Sequence, residues 1–206
     1  VAGSAYGTAL AQLLAFAIIL TYRLTDRAEL HPRILMQASL TQGWSRILAL
    51  GAPQSLNFIG IALGSAAVIT ALQMFDIPNY ETTVSAFGIV TRVMTFLFLP
   101  LLGLTFALQS IVGNNYGAQE WQRSDQSLRL GIWIAFIYCT FFQVILMVFP
   151  ETIAKAFVDD PAVIAAFAHI ISFTVVMLWL AGPLIVIASY FQAIGNASRA
   201  AILGLG

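Results

Sequence analysis

The chain is organised as long runs of apolar positions separated by short clusters of charge, without the strict alternation of a strand. Charge-free runs cover Val1 to Tyr22, Ile47 to Phe75, Thr82 to Gln119 (interrupted only by Arg92), Leu130 to Pro150, and Pro161 to Ser198, with a further run opening at Ala200. A helix rises about 1.5 Å per residue, so roughly 20 apolar residues cross a hydrocarbon core of about 30 Å. The pattern predicts five membrane-spanning helices and the start of a sixth. Continuous rather than alternating hydrophobicity excludes a transmembrane barrel.

The fourth run is one crossing long and no more, whereas the fifth is nearly twice that. Its opening, Pro161 to His169, is expected to form a short interfacial helix before the true span. Pro183 should bend the remainder of the fifth run, and Pro100 should bend the third span. Proline has no amide hydrogen, so in lipid the carbonyl it leaves free needs another donor.

Composition agrees with a lipid solvent. Hydrophobic residues make up 60% of the 206 and charged residues 9%, against roughly 25% charged in soluble domains. The formal net charge is zero, which argues against a nucleic-acid partner. The single cysteine, Cys139, lies inside an apolar run and reads as a small buried core residue. The chain opens at Val1 inside an apolar stretch, without a basic leader, and closes at Gly206 inside another. We expect an internal piece of a longer protein, not one that starts with a secretory signal.

Charge also sets the orientation. Arg23, Arg27, Arg33 and Arg46, then Arg123 and Arg129, then Arg199 fall in connections on one side, whereas the opposite connections hold Lys155 alone with five acids (Asp76, Glu81, Glu151, Asp159 and Asp160). The positive-inside rule places the arginine-bearing connections in the cytoplasm. The longest of them, 23–46, mixes Ile34, Leu35, Met36 and Leu40 with Gln37, Ser39 and Gln42. That mixture predicts a helix lying on the membrane surface, with Pro32 in its first turn and a lobe boundary at this connector.

Polar groups inside spans are the functional candidates. Arg92 lies about eight residues in from the outer loop, roughly 12 Å along the helix, where it either lines a cavity or extends its stem to the outer headgroups. Gln54 and Asn57 share one face of the second span and either point into a polar interior or bridge helices. Gln109 and Gln192 sit nearer the cytoplasmic ends and carry the same two readings. His169 reads as an interfacial or hydrogen-bonded structural residue. Gly60-Ile61-Ala62-Leu63-Gly64 and Gly3-Ser4-Ala5-Tyr6-Gly7 are small-residue patterns for close helix packing. Zinc-protease, phosphate-loop and nucleophile-elbow motifs are absent, as is any metal-spaced Cys/His cluster. Neither an enzyme nor a metal site is expected.

Several of these segments resemble one family. The exit of the third run, Val112-Gly113-Asn114-Asn115-Tyr116-Gly117-Ala118, resembles the end of the eighth helix of multidrug and toxic compound extrusion (MATE) transporters. Ala86-Phe87-Gly88-Ile89-Val90-Thr91-Arg92 is similar to the start of that helix, and Leu50-Gly51-Ala52-Pro53 to the start of the seventh. Tyr190-Phe191-Gln192-Ala193-Ile194-Gly195-Asn196, followed by Arg199, is similar to the end of the tenth. The resemblance implies an all-α integral membrane bundle, part of a twelve-helix fold in two lobes. Residues 1–22 would be the last helix of the N-terminal lobe and 23–46 the inter-lobe linker. Residues 47–206 would be helices seven to ten and the start of eleven. It further implies a monomeric exporter of organic cations and other amphipathic compounds in a bacterial inner membrane, driven by sodium or proton antiport without a bound cofactor, and a structural role for Arg92.

One departure stands out. Some branches of the family carry a cation-binding acid in the seventh and tenth helices, but the second and fifth spans here contain no Asp or Glu. Ion coupling is then expected in the N-terminal lobe. Gln54, Asn57 and Arg92 remain the candidates for the substrate cavity, and Pro100 and Pro183 for bending. Two alternatives stay beside this reading. A lipid-linked saccharide flippase of related fold would need a more cationic cavity than Arg92 alone supplies, and a non-transporting membrane scaffold has no need of kinked spans.

Overall fold

A computed structural model describes residues 2–25, 43–74 and 79–205. These residues are helical almost throughout, with no strand among them. The interfacial helix expected around Pro32 lies outside the described residues.

The chain divides into two units, 1–45 and 46–206. In the first, α1 (Ala2–Thr25) exposes Tyr6, Leu10, Leu13, Phe16, Ile18 and Ile19 on every side. A helix apolar all round belongs inside a protein or in lipid.

The second unit opens with α2 (Trp44–Met74), followed by α3 (Tyr80–Gly117) and α4 (Trp121–Val148). After these come the short α5 (Pro150–Lys155), α6 (Pro161–Thr174), α7 (Leu178–Ala193) and α8 (Ala197–Leu205). By length and hydropathy α3 and α4 can each cross a membrane, and α6 with α7 forms one further span bent by 51°. Shorter apolar stretches lie at Tyr6–Tyr22 and Phe58–Met74 in α1 and α2.

Helix starts follow local chemistry. Asp160 caps α6, its carboxylate accepting from the Ala162 amide at 2.8 Å, with Pro161 in the first turn. The Asn196 side chain accepts from the Arg199 amide at 3.3 Å at the start of α8. The chain enters α8 through Gly195, whose φ of 78° glycine adopts without a Cβ penalty.

One boundary differs from the sequence expectation. The connection expected to hold Arg123 and Arg129 is only a few residues long, because α3 runs on to Gly117 and α4 already starts at Trp121. Arg123 and Arg129 therefore stand on the first turns of α4. Charge marks where the chain leaves lipid, but arginine is a good helix former and does not end a helix.

The core of the second unit lies among α3, α4, α6 and α7, where Leu101, Val112, Cys139, Phe167, Ile171, Val175 and Val186 are buried. Glycine sets the closest approach. A Cβ on Gly182 of α7 would collide with Cys139 Sγ and come 3.1 Å from the Ala135 carbonyl oxygen, both on α4. One on Gly131 would meet Leu108 and Val186 side chains at 3.3 Å. Small residues at crossings suit membrane bundles, where packing must hold helices together without a hydrophobic driving force between them.

Candidate functional site

Backbone groups that helices fail to satisfy mark the points at which this bundle is specialised. The span formed by α6 and α7 breaks at 175–177. At the break the Leu178 amide turns back to the Val175 carbonyl at 3.0 Å, and the Leu180 amide bonds Met177 at 3.1 Å. Those short bonds leave the Val176 carbonyl and the Trp179 amide without their usual helical partners. Gln143 of α4 supplies both. Its amide nitrogen donates to the Val176 oxygen at 3.1 Å, and its oxygen accepts from the Trp179 amide at 2.9 Å. One side chain thus bridges both lips of the break.

The break falls later than the interfacial helix expected at Pro161 to His169, and ahead of Pro183, which sits inside α7. His169 is exposed, with its ring 5.1 Å from that of Phe173.

Pro100 lies inside α3, which continues through it as one helix. Its missing amide deprives the Phe96 carbonyl of a donor. On the adjoining carbonyl, Leu97, the Tyr138 hydroxyl of α4 donates at 2.9 Å.

Nearer the C-terminal ends of α3 and α7, Gln109 of α3 donates to the Gln192 oxygen of α7 at 3.0 Å, a part-buried amide pair. The Tyr190 hydroxyl donates to Asp125 of α4 at 3.3 Å, and the Arg199 guanidinium stands 5.4 Å from the Phe191 ring centroid. The residues Gln109 and Gln192 therefore bridge helices.

Between α4 and α7 lies a wholly apolar cleft of about 270 Å³, lined by Ile132, Trp133, Phe136, Trp179, Leu180 and Pro183. Its rings meet edge to face, Trp133 to Phe136 at 6.0 Å and Phe136 to Trp179 at 6.4 Å. Trp133 midway along α4 and Trp179 in the first turn of α7 open on this cleft and form an aromatic wall.

Arg92 is exposed on α3 and makes no hydrogen bond or ion pair among the described residues. Its face carries Ser85, Gly88, Thr91 and Thr95, also exposed. Both threonine hydroxyls donate back to their own helix, Thr91 to Phe87 at 2.9 Å and Thr95 to Thr91 at 2.8 Å. Gln54 and Asn57 fall on α2, and their side chains lie outside the described residues. Of the three cavity candidates, Arg92 alone has its side chain among the described residues. Among the described residues no group of three His, Cys, Asp or Glu side chains could hold a metal.

Sequence reasoning passed over Gln143 and Tyr138. A signal for Gln143 existed: it is an amide in the middle of an otherwise apolar run, the feature that singled out Gln54 and Asn57.

Comparison with known proteins agrees with this architecture. A family model, MatE, matches residues 53–205. The probable multidrug resistance protein YoeA of Bacillus subtilis is 24% identical over 197 residues, 94% of this chain and 42% of that protein. An FAD transporter of Shewanella oneidensis is 25% identical, over 96% of this chain and 42% of its own length. The multidrug export protein MepA of Staphylococcus aureus is 21% identical, over 100% of this chain and 44% of its own. The chain thus spans less than half the length of these relatives. With a family match covering most of its residues, on an all-helical membrane bundle, the chain belongs to the MatE family of multidrug and toxic compound extrusion transporters.

Proposed function

We propose that this chain forms much of one lobe of a secondary active exporter that moves drugs and other amphipathic compounds, organic cations among them, by alternating access. Residues 1–22 would close the N-terminal lobe, 23–46 would link the lobes through the cytoplasm, and 47–206 would build helices seven to ten and the start of eleven. Membership of the MatE family over residues 53–205 carries the reading. Relatives named for multidrug export, and one named for FAD, support amphipathic cargo.

The bundle favours motion of the lobe as one body. Polar ties join its helices at two depths, Gln109 to Gln192 on one side and Gln143 to the broken span on the other. Ties between helices hold their relative positions while a rigid-body rotation proceeds.

Sodium or proton entry would drive export through a site in the N-terminal lobe, since the second and fifth apolar runs contain no Asp or Glu. Cation binding shifts such a cycle only by its differential affinity for the inward and outward states. The protein would act as a monomer in a bacterial inner membrane, arginine-bearing turns inside. The test is efflux of a fluorescent drug by the intact protein in vesicles, with imposed sodium and proton gradients. Gradient-dependent efflux is expected, and movement that ignores both gradients overturns the coupling.

A further inference from the structure

The polar face of α3 has a chemistry that the exporter reading leaves unused. Arg92 stands about 18 Å along the helix from Tyr80 at about 1.5 Å per residue, on a helix apolar enough to span a membrane. An arginine at such depth needs a counter-charge or water. Among the described residues it makes no hydrogen bond or ion pair.

Ser85, Gly88, Thr91 and Thr95 lie on the same exposed face, and Gly103 and Ser110 continue it toward the C-terminal end. The same face also carries large exposed apolar side chains, Phe96, Leu99 and Phe106. A Cβ placed on Gly88 or Gly103 would meet nothing within 4 Å. Helical side chains lean toward the N-terminal end of their helix, so Arg92 leans over Gly88 toward Ser85. The result is an exposed strip with the positive charge and hydroxyls toward its N-terminal end and the apolar Phe96, Leu99 and Phe106 further along. Guanidinium offers a planar fork of donors that fits carboxylate or phosphate oxygens in pairs.

The geometry points to Arg92 as the contact for an anionic group, carboxylate or phosphate, on the transported amphipath. The cargo would lay its apolar body along the remainder of the face and set its charged end against the guanidinium. This inference rests on the exporter reading and adds to its substrate class amphipathic compounds that carry a negative group.

Binding and transport separate the two claims. The intact protein, purified in detergent, is titrated with carboxyfluorescein, an aromatic anion, and with rhodamine 6G, an aromatic cation, followed by fluorescence polarisation. Wild type is expected to bind both. Arg92→Gln should weaken carboxyfluorescein at least tenfold and leave rhodamine 6G within twofold, and Arg92→Lys should recover part of the loss. Equal losses for both dyes would assign Arg92 a structural role and overturn the inference, as would no loss, or a wild type that binds only the cation. Phosphatidylglycerol that displaces carboxyfluorescein from wild type at equimolar amounts would assign the anion to lipid, with the same consequence. If the dyes bind as expected and neither moves under a sodium or proton gradient in vesicles, the exporter reading fails while the anion contact stands.

Discussion

The spans containing Pro100 and Pro183 respond to their prolines in opposite ways. The helix through Pro100 runs unbroken from Tyr80 to Gly117. The span containing Pro183 does break, by 51°, but at 175–177, where there is no proline. Proline therefore does not decide where this bundle bends. The decisive element is the partner available for each stranded backbone group. Water would serve in a soluble protein, but in hydrocarbon only protein groups can, and each unmet group is costly. Near Pro100 the Tyr138 hydroxyl supplies a donor to the Leu97 carbonyl. At the break an amide and a carbonyl are both stranded, and Gln143 alone offers a donor and an acceptor. Both partners come from α4, five residues apart and so about 140° around its axis at 3.6 residues per turn. They reach α3 on one side and the broken span on the other.

The largest effect should come from preventing α4 and the broken span from approaching. Gly182→Val would drive a side chain into Cys139 Sγ and the Ala135 carbonyl oxygen. The backbone oxygen cannot rotate away, so overpacking of about 3 kcal/mol is expected. The variant should be poorly expressed, and its thermal unfolding in detergent should fall well below wild type. Gly182→Ala should show the same direction at smaller size. Wild-type melting for the valine variant would mean that the helices are not held at this crossing.

Gln143→Leu probes the break directly, with little change in volume. It strands the Val176 carbonyl and the Trp179 amide together, for an expected loss of about 2 kcal/mol. Gln143→Glu keeps an acceptor for Trp179 but, when ionised, loses the donor to Val176. It should therefore disrupt the bridge about as much as leucine does. Hydrogen exchange should rise at the 175–181 amides in the leucine variant and stay unchanged in α3. Uniform exchange across the bundle would show that Gln143 supports general packing rather than the break.

The same chemistry explains how far this was legible in the sequence. Apolar runs report the solvent, and they located α3, α4 and the bent span of α6 and α7 because hydropathy accumulates over a whole crossing. Charge reported the membrane boundary, which is why Arg123 and Arg129 sit close to a turn and yet belong to α4. The break was not legible, since Thr174-Val175-Val176-Met177 carries no glycine, proline or charge. Its position depends on a glutamine more than thirty residues away in sequence, and a local reading cannot see that pair. Among the site candidates, Arg92 was legible because a charge in an apolar run stands out. Tyr138 was not, because tyrosine is ordinary in a span and only the neighbouring backbone gives its hydroxyl a role.

The smallest expected effect sharpens the comparison most. Tyr138→Phe removes one interhelical hydrogen bond and nothing else, since the ring remains packed at 4.8 Å from Phe142. Such bonds in membrane bundles are worth about 0.6 kcal/mol on average, a small shift in melting temperature. Its interpretation depends on Pro100→Ala, which restores the amide donor that the Phe96 carbonyl lacks. If the tyrosine compensates for the proline, its loss should matter less once the alanine is present, and a double-mutant cycle should return a coupling close to the whole single effect. If the two changes are additive, the Tyr138 bond to Leu97 ties α3 to α4 independently of the proline. Pro100 would then be tolerated by helix bending alone, and the contrast between the two spans would reduce to the Gln143 bridge.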